Sequence, residues 1–204
     1  MLTPNGDKSM ETNSQLKVLE GQLRDCFARV VWTHKTHEKC ADIMFAKHNA
    51  IKLWQVILSG VTTTSLLINV FGKLQWVTII SALLSASLFA INLFVKGHDF
   101  GEIAKKHADA ASDLWLVREK YFSLLVDLKM GTLDLDEIRA QRDLLLGQLG
   151  NCYKGSPRTR NKAYQKASKA LKVNEELTLS DEEIDRFLPA ELKRGTVGQS
   201  SNES

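Results

Sequence analysis

Two stretches without a charged residue decide the fold: LWQVILSGVTTTSLLINVFG at 53–72 and LQWVTIISALLSASLFAINLFV at 74–95, separated only by Lys73. Each is long enough to cross the roughly 30 Å hydrocarbon core of a bilayer as an α-helix. A core helix of a soluble domain shows a charged face, and neither stretch has one. The two stretches therefore predict a transmembrane helical hairpin and disfavour the alternative, a hairpin buried inside a soluble domain.

Positive charge lies on one side of the predicted hairpin. Lysines flank both of its ends, at Lys47, Lys52 and Lys96, whereas the connection between the stretches carries only Lys73. Because segments rich in Lys and Arg stay in the cytoplasm, we expect a multi-pass protein of the cell membrane with both termini cytoplasmic. The short connection leaves too little chain outside for a receptor of an extracellular ligand.

Apolar residues recur in both flanks of the hairpin at alternating spacings of three and four. The first series is Leu16, Leu19, Leu23, Cys26 and Val30. The second series is Phe100, Ile103, His107, Ala110, Leu114, Val117, Tyr121, Leu124 and Leu128. These spacings predict long helices that pack side by side in a coiled-coil-like stalk or bundle. The predicted fold class is therefore an all-α membrane protein.

The predicted organisation has five parts. They are an N-terminal cytoplasmic helix at 12–52, the hairpin at 53–95, cytoplasmic helices at 96–149, a basic then acidic helical segment at 150–193, and a disordered tail at 194–204. Gly131 is expected to end one helix, because glycine favours a helix stop. The next helix is expected to start at Thr132 or Asp134, and a break is expected at 150–157.

Mildly polar residues form a stripe on each predicted membrane helix. They are Gln55, Ser59, Thr62 and Asn69 in the first helix, and Thr78, Ser81, Ser85 and Asn92 in the second. Such stripes either line a water-filled pore in an oligomer or hold helices together, with Ala82, Ala86 and Ala90 as a close-packing face. The residues alone favour packing, because no ring of ionised residues marks a selective filter. A pore built from them would be weakly selective.

A basic stretch, KGSPRTRNKAYQKASKALK at 154–172, contains seven Lys or Arg and no acid. Its candidate contacts to an anionic ligand or lipid headgroup are Lys154, Arg158, Arg160, Lys162 and Lys166. The favoured alternative is a solvated helix face that pairs with the acidic segment after it, because the charges are spread out. The net charge of +3 is too small to indicate nucleic-acid binding by itself.

The sequence offers no catalytic constellation. His34, His37 and Cys40 share a helical face, but the further ligands of a zinc site are missing, so packing histidines are expected in place of a metal site. No glycine-rich phosphate loop, nucleophile elbow or zinc-protease motif occurs. We therefore expect no enzyme, no catalytic or metal-binding residue and no cofactor. The three cysteines are expected to be reduced thiols in the cytosol.

Four motifs carry a family resemblance. They are HADAASDLWLVREKYFSLLVDL at 107–128, EIRAQRDLLLGQL at 137–149, YKGSPRTRNKAYQKASKALK at 153–172 and SDEEIDRFLPAELK at 180–193. Together with the preceding hairpin they resemble the SLATT family of bacteria, the "SMODS and SLOG associating 2TM effector" proteins. The resemblance extends over about residues 12–193, which is nearly the whole chain.

The resemblance implies a membrane effector of a bacterial antiviral, abortive-infection system, with no catalytic residues to carry over. Such an effector is expected to oligomerise and to form a pore or disrupt the inner membrane. The expected trigger is a partner: a cyclic-nucleotide synthase, a nucleotide sensor or a reverse transcriptase. The lipid bilayer and further copies of the chain are the other expected partners. The alternative is a membrane anchor or scaffold that recruits a cytoplasmic defence enzyme, and a weaker one is a constitutive small channel.

Overall fold

The computed structural model describes residues 4–72, 75–180 and 183–184, with side chains from residue 11 onward except that of Phe71. These residues form helices and no strand, in the order α1 (Pro4–Gly72), α2 (Gln75–Gly97), α3 (Phe100–Met130), α4 (Leu135–Gly155) and α5 (Asn161–Lys172). The predicted all-α fold class is confirmed. The predicted connection at Lys73 and the predicted tail at 194–204 lie outside the described residues.

The longest element, α1, is one helix of 69 residues, about 100 Å long at 1.5 Å per residue. It contains the N-terminal flank and the first apolar stretch, and no break separates them. No proline occurs between residues 5 and 156, so nothing in this range removes a backbone donor from the helix. A displacement of the first half of α1 is therefore transmitted directly to its apolar half.

Local capping fixes the ends of α3 and α4. Asp99 precedes α3, and its carboxylate accepts a hydrogen bond from the Glu102 N–H at 2.9 Å. Gly131 ends α3 in the left-handed region, with φ of 67°. Asp134 and Glu137 form a reciprocal capping box at the start of α4, with bonds of 2.8 and 2.9 Å. The predicted helix end at Gly131 and the predicted start at Asp134 are confirmed.

The break after α4 lies later than expected. The sequence predicts it at 150–157, but α4 continues through Gly150 to Gly155, and the interruption covers 156–160. A single helical glycine costs only about 1 kcal/mol, which the packing of α4 outweighs. Pro157, in contrast, disfavours the helical conformation of Ser156 before it, so the helix stops there.

The helical bundle consists of the part of α1 before residue 53 together with α3, α4 and α5. In it α1 and α3 run antiparallel, so that His37 faces His107 and Phe27 faces Phe122. The core residues are Leu19, Leu23, Cys26 and Val30 of α1, Leu114, Val117, Tyr121 and Leu124 of α3, and Ile138, Leu145 and Leu149 of α4. The α1 and α3 members belong to the two series predicted from spacing, so that prediction is confirmed.

The apolar stretches of α1 and α2 are not covered by the rest of the described chain. Both helices contain a stretch apolar and long enough to span a membrane, and the most apolar 18 residues of each are only 6% and 11% buried. A core helix of a soluble protein would be mostly buried. The alternative of a hairpin inside a soluble domain therefore fails, and the fold is a transmembrane hairpin joined to a helical bundle.

Leu114→Ala is predicted to lower the free energy of unfolding by about 3 kcal/mol, because it leaves a cavity between α1 and α3 where the side chain is 0% exposed. The matched control is Leu116→Ala on the same helix, where the side chain is 51% exposed and the expected loss is under about 0.5 kcal/mol. Denaturant unfolding in detergent, followed by circular dichroism, measures both. Equal losses in the two variants would contradict this packing.

Candidate functional site

The two membrane helices pack through one face each. The partly or fully buried positions alternate at spacings of four and three, and they are Ile51, Gln55, Leu58, Thr62, Ser65 and Asn69 on α1, and Val77, Ser81, Leu84, Leu88, Ile91 and Val95 on α2. This is the spacing of left-handed packing between nearly antiparallel helices. The face that each helix turns to the other therefore mixes polar and apolar side chains.

Two polar contacts connect α1 and α2 within the hairpin. Near the bundle, Gln55 donates from Nε2 to Asn92 Oδ1 at 2.8 Å. Near the opposite end, the Ser81 and Ser65 hydroxyl oxygens lie 2.8 Å apart. In lipid no water competes for such groups, so they hold the two helices in one register. This agrees with the packing alternative for part of the stripe.

The eight polar residues predicted from the stripes divide into two sets. Four occupy the face shared by α1 and α2: Gln55, Thr62, Asn69 and Ser81. The other four are exposed: Ser59, Thr78, Ser85 and Asn92. Ser59 and Asn92 line the same surface recess of about 390 Å³, and Ser85 and Thr78 precede Asn92 on α2 by seven and fourteen residues. The exposed set therefore forms one polar edge of the hairpin, named here the polar edge.

Sequence reasoning missed Ser65, which pairs with Ser81 across the hairpin. It stands three residues after Thr62 and four before Asn69, so the helical spacing of the stripe already contained it. Thr62, Thr63 and Ser87 donate to backbone carbonyls of their own helices at 2.7 to 2.9 Å. A hydroxyl satisfied in this way is compatible with lipid.

The connection between the hairpin and the bundle is short and packed. His98 and Asp99 alone separate α2 from α3, and the His98 ring stacks on Phe94 with centroids 4.7 Å apart. Gly101, in the first turn of α3, touches His48 of α1 so closely that an added Cβ would lie 2.8 Å from the ring. The start of α3 is thus held against α1 where the two leave the apolar stretches.

The predicted histidine face of α1 is buried in the bundle. His37 contacts His107 of α3, with 3.1 Å between their Nδ1 atoms. His34 lies one turn away, its Nε2 3.6 Å from Glu38, and its buried Nδ1 has no hydrogen-bond partner. Within the described ranges, no three His, Cys, Asp or Glu side chains lie close enough together to hold a metal ion.

The five candidate cations of the basic stretch lie around the end of α4 and along α5. They are all exposed: Lys154, Arg158, Arg160, Lys162 and Lys166. Helix α5 turns Ala163, Ala167 and Ala170 towards α1, which leaves Lys162 and Lys166 on the outer face, whereas Lys172 lies over the Trp32 ring of α1. No carboxylate of the described chain lies within 4 Å of any of the five charges.

Glu176, a few residues after α5, pairs with α1 and not with the basic stretch. Glu176 contacts the ammonium groups of Lys35 at 2.8 Å and Lys39 at 3.1 Å. Hydrogen bonds from Lys35 and then Lys39 lower the pKa of Glu176 to about 2. The expected pairing of the basic stretch with the following acids does not occur at Glu176, because the chain turns there and faces α1. The outer cations remain available to an anionic ligand.

Glu176→Gln is predicted to release the segment after α5. Hydrogen exchange across 161–172, read by mass spectrometry at pH 7, should become several-fold faster than in the wild type. The lowered pKa makes the Glu176 contact fully stabilising above about pH 4.5 and weaker as the pH falls towards 2, so the difference should shrink there. The control is Glu175→Gln, next in the chain but without an ion pair. A matching acceleration in this control would refute the role of Glu176.

Gln55→Leu and Asn92→Leu, made singly and together, are predicted to show a coupling free energy of about 0.6 kcal/mol between the two side chains, as is typical of hydrogen bonds within membranes. The measurement is a double-mutant cycle of unfolding in detergent micelles. Ser59→Leu with Asn92→Leu is the control cycle, because no direct hydrogen bond joins that pair. Additive effects of the Gln55 and Asn92 changes would show that the bond does not hold the hairpin together.

A comparison with protein families identifies the chain. The family model described as "SMODS and SLOG-associating 2TM effector domain family 4" (SLATT_4) matches residues 19–183, about four fifths of the chain. No curated protein and no solved structure gives a significant match. The family is described by two transmembrane segments and an effector role, and the hairpin provides the two segments. The chain belongs to the SLATT family of two-transmembrane effectors that associate with SMODS and SLOG proteins.

Proposed function

We propose that this protein is a non-enzymatic effector of a bacterial antiviral, abortive-infection system, and that it oligomerises in the inner membrane and opens a weakly selective pore. The hairpin spans the membrane twice and both termini lie in the cytoplasm, on the side of the flanking lysines. The division of the chain at 12–52, 53–95, 96–149, 150–193 and 194–204 remains part of this proposal.

The polar edge carries the proposal. Gln55 and Ser81 find partners inside the hairpin, whereas Thr78 and Ser85 are exposed on α2, at the side of the face that packs on α1. Lipid tails offer such groups nothing to bind, apart from their own helix backbone. Water in a pore lumen, or the polar edge of another copy of the chain, supplies hydrogen-bond partners for these hydroxyl groups. A subunit of an oligomeric pore needs one set of polar residues that holds its own helices together and a second set that faces the lumen.

A single hairpin cannot enclose a lumen, so several copies are required. Small residues on the exposed surface of α2, at Ala82, Ala86 and Ala90, allow the backbone of a neighbouring helix to approach closely. Ala82 lies four residues after Thr78 and three before Ser85, so it adjoins the polar edge on the helix surface. A copy seated there places the polar edge next to the contact between copies. Within the two apolar stretches, 53–72 and 74–95, no residue carries a charge, which supports weak selectivity.

The bundle supplies the regulated part of the proposed effector. Its cytoplasmic helices receive a signal from a partner: a cyclic-nucleotide synthase, a nucleotide sensor or a reverse transcriptase. The unpaired cations Lys154, Arg158, Arg160, Lys162 and Lys166 form an anion-attracting surface for a ligand or for lipid headgroups. Direct binding of nucleic acid is not part of the proposal. The family description includes association with SMODS and SLOG proteins, which supports a partner that handles nucleotides.

One observation favours the second candidate, a scaffold that recruits a cytoplasmic enzyme. A groove of about 530 Å³ runs along the bundle between α1, α3 and the end of α5, and its apolar lining includes Phe27, Phe122 and Leu171. Deleting residues 53–95 separates the candidates. A scaffold retains the binding of its enzyme in soluble form, whereas a pore former loses its activity with the hairpin.

Thr78→Leu together with Ser85→Leu is predicted to reduce the leakage of potassium from vesicles that contain the protein by at least about tenfold, because it makes the polar edge apolar. The matched control is Ser87→Leu, on the opposite exposed face of α2, which should leak like the wild type. Crosslinking of the reconstituted protein checks that assembly is unchanged in both variants.

Two outcomes would contradict the pore. The first is complete oligomerisation with an intact ion gradient, in vesicles or in cells that contain the activating partner. The second is equal leakage from the double variant and from Ser87→Leu, which would place the conducting path away from the polar edge. Loss of assembly in the double variant alone would assign Thr78 and Ser85 to packing between copies.

A further inference from the structure

A hydrogen bond between two buried histidines joins α1 and α3. His37 and His107 are each only 2% exposed, and their Nδ1 atoms lie 3.1 Å apart. An imidazole nitrogen can accept only when it carries no proton, so one ring donates and the other accepts. The bond is therefore available to the neutral pair and to the singly protonated pair, but is lost when both rings carry a charge.

The surroundings of the pair disfavour positive charge. The titratable and charged groups that face it are His34 of α1 and Arg160, which lies before α5. Burial, then the nearby His107 and His34, lower the pKa of His37 to about 4. Burial, then the charge of Arg160, lower the pKa of His107. Cys40 lies beside Arg160, and burial raises the pKa of its thiol, so it stays neutral and supplies no counter-charge.

His34 extends the same polar layer by one turn. Burial lowers the pKa of His34, and the nearby Glu38 carboxylate partly opposes this effect. That carboxylate is also bound by Lys35 at 2.8 Å, so it is not free to compensate a new charge on the pair. A proton taken up by His37 or His107 therefore meets cations and apolar surface.

The position of the pair connects it to the membrane helices. His37 belongs to α1, which continues without a break to Gly72, and His107 belongs to α3, which only His98 and Asp99 separate from α2. The neighbours of His107 on the inner face of α3 are small, at Ala104, Ala110 and Ala111, so the bond lies between closely approaching backbones. Separation of α3 from α1 at this layer changes the angle at which both helices enter the membrane.

We propose that the His37–His107 pair is an acid sensor, in which protonation of both imidazoles separates α3 from α1 and loosens the membrane hairpin. The proton is the ligand of this site. It is taken up at the Nε2 atom of the ring that donates and at the Nδ1 atom of the ring that accepts. One consequence rests on the proposed function: a pore that admits protons acidifies the cytoplasm, and acid then favours the separated bundle. Opening of the first pores would thereby promote opening of the rest.

The direction and size of the effect follow from linkage. In the separated bundle both rings reach water and regain the ordinary imidazole pKa of 6.5. The separated state then binds more protons than the closed state as the pH falls below 6.5. Between pH 7.5 and 5.5 the ratio of separated to closed bundle rises about tenfold through His37. The lowered pKa of His107 adds a further increase, to at most about 100-fold for the pair. The effect levels off near pH 4, where His37 also titrates in the closed bundle.

The test measures the distance between α1 and α3 in the full-length protein in lipid nanodiscs. Ala46→Cys and Lys105→Cys place spin labels at exposed positions of the two helices, in a background with Cys152→Ser. Cys26 and Cys40 are buried and stay unlabelled at pH 8. Electron-electron double resonance is recorded from pH 8 to 4.5. We expect a second, longer distance, whose population relative to the short one rises between pH 7.5 and 5.5 by more than about tenfold and at most about 100-fold.

His37→Leu with His107→Leu keeps an apolar contact and removes both protonation sites, so the distance should stay short at every pH. His37→Gln alone preserves a hydrogen-bond partner for His107 and should reduce the response to at most about tenfold. This single variant also serves if the double variant does not fold. The matched control is His98→Gln, at an exposed histidine outside the pair, which should respond like the wild type.

A constant distance in the wild type between pH 8 and 4.5 would overturn the proposal. A full response in the double leucine variant would overturn it too, by assigning the titration to another group such as His34. Vesicle leakage of the same samples separates this inference from the proposed function. A pH-dependent distance without leakage refutes the pore and leaves the sensor standing, whereas pH-independent leakage with a constant distance refutes the sensor alone.

Discussion

The architecture depends on one solvation requirement, the removal of the hairpin surface from water. Large apolar side chains on this surface point away from the rest of the described chain; Val56 is 71% exposed and Phe89 is 65% exposed. Each side chain of this kind favours an apolar environment by about 1.5–3 kcal/mol. Lipid provides that environment only to a structure whose backbone groups are bonded internally. The helical hairpin meets both conditions, and the bundle remains in water.

The continuity of helix α1 links the bundle mechanically to the membrane hairpin. One uninterrupted helix carries bundle contacts in its first half and lipid contacts in its second. Its partner on the bundle side, α3, starts within two residues of α2 and is held to α1 by the contact of Gly101 with His48. Any change in how α1 and α3 pack therefore reaches the membrane without passing through a flexible linker. An effector that converts a cytoplasmic signal into membrane damage needs a connection of this kind.

Polar groups of this protein make different contacts in the hairpin, in the bundle interior and on the outer surface. Inside the hairpin, Gln55 and Asn92 bond to each other and stabilise one register. In the bundle interior, His37 and His107 bond only while at least one of them is neutral, so the contact depends on pH. On the outer face of α5, Lys162 and Lys166 are exposed to water, and they belong to the proposed anion-binding surface. The extent to which water is excluded thus decides whether a polar group bonds to another side chain or stays hydrated.

The sequence by itself determined the hairpin, the packing series of α1 and α3 and the glycine end of α3, because these depend on local composition and helical period. It also contained the family motifs. The tertiary structure alone decided which polar residues of each stripe face inward, since a few tens of degrees around a helix separate Ser81 from Ser85. It alone placed His37 against His107 and Glu176 against Lys35, because pairs so distant in the chain meet only after α1, α3 and α5 have packed. Spacing along one helix predicts which face is buried, but the partner of that face is set by three-dimensional packing.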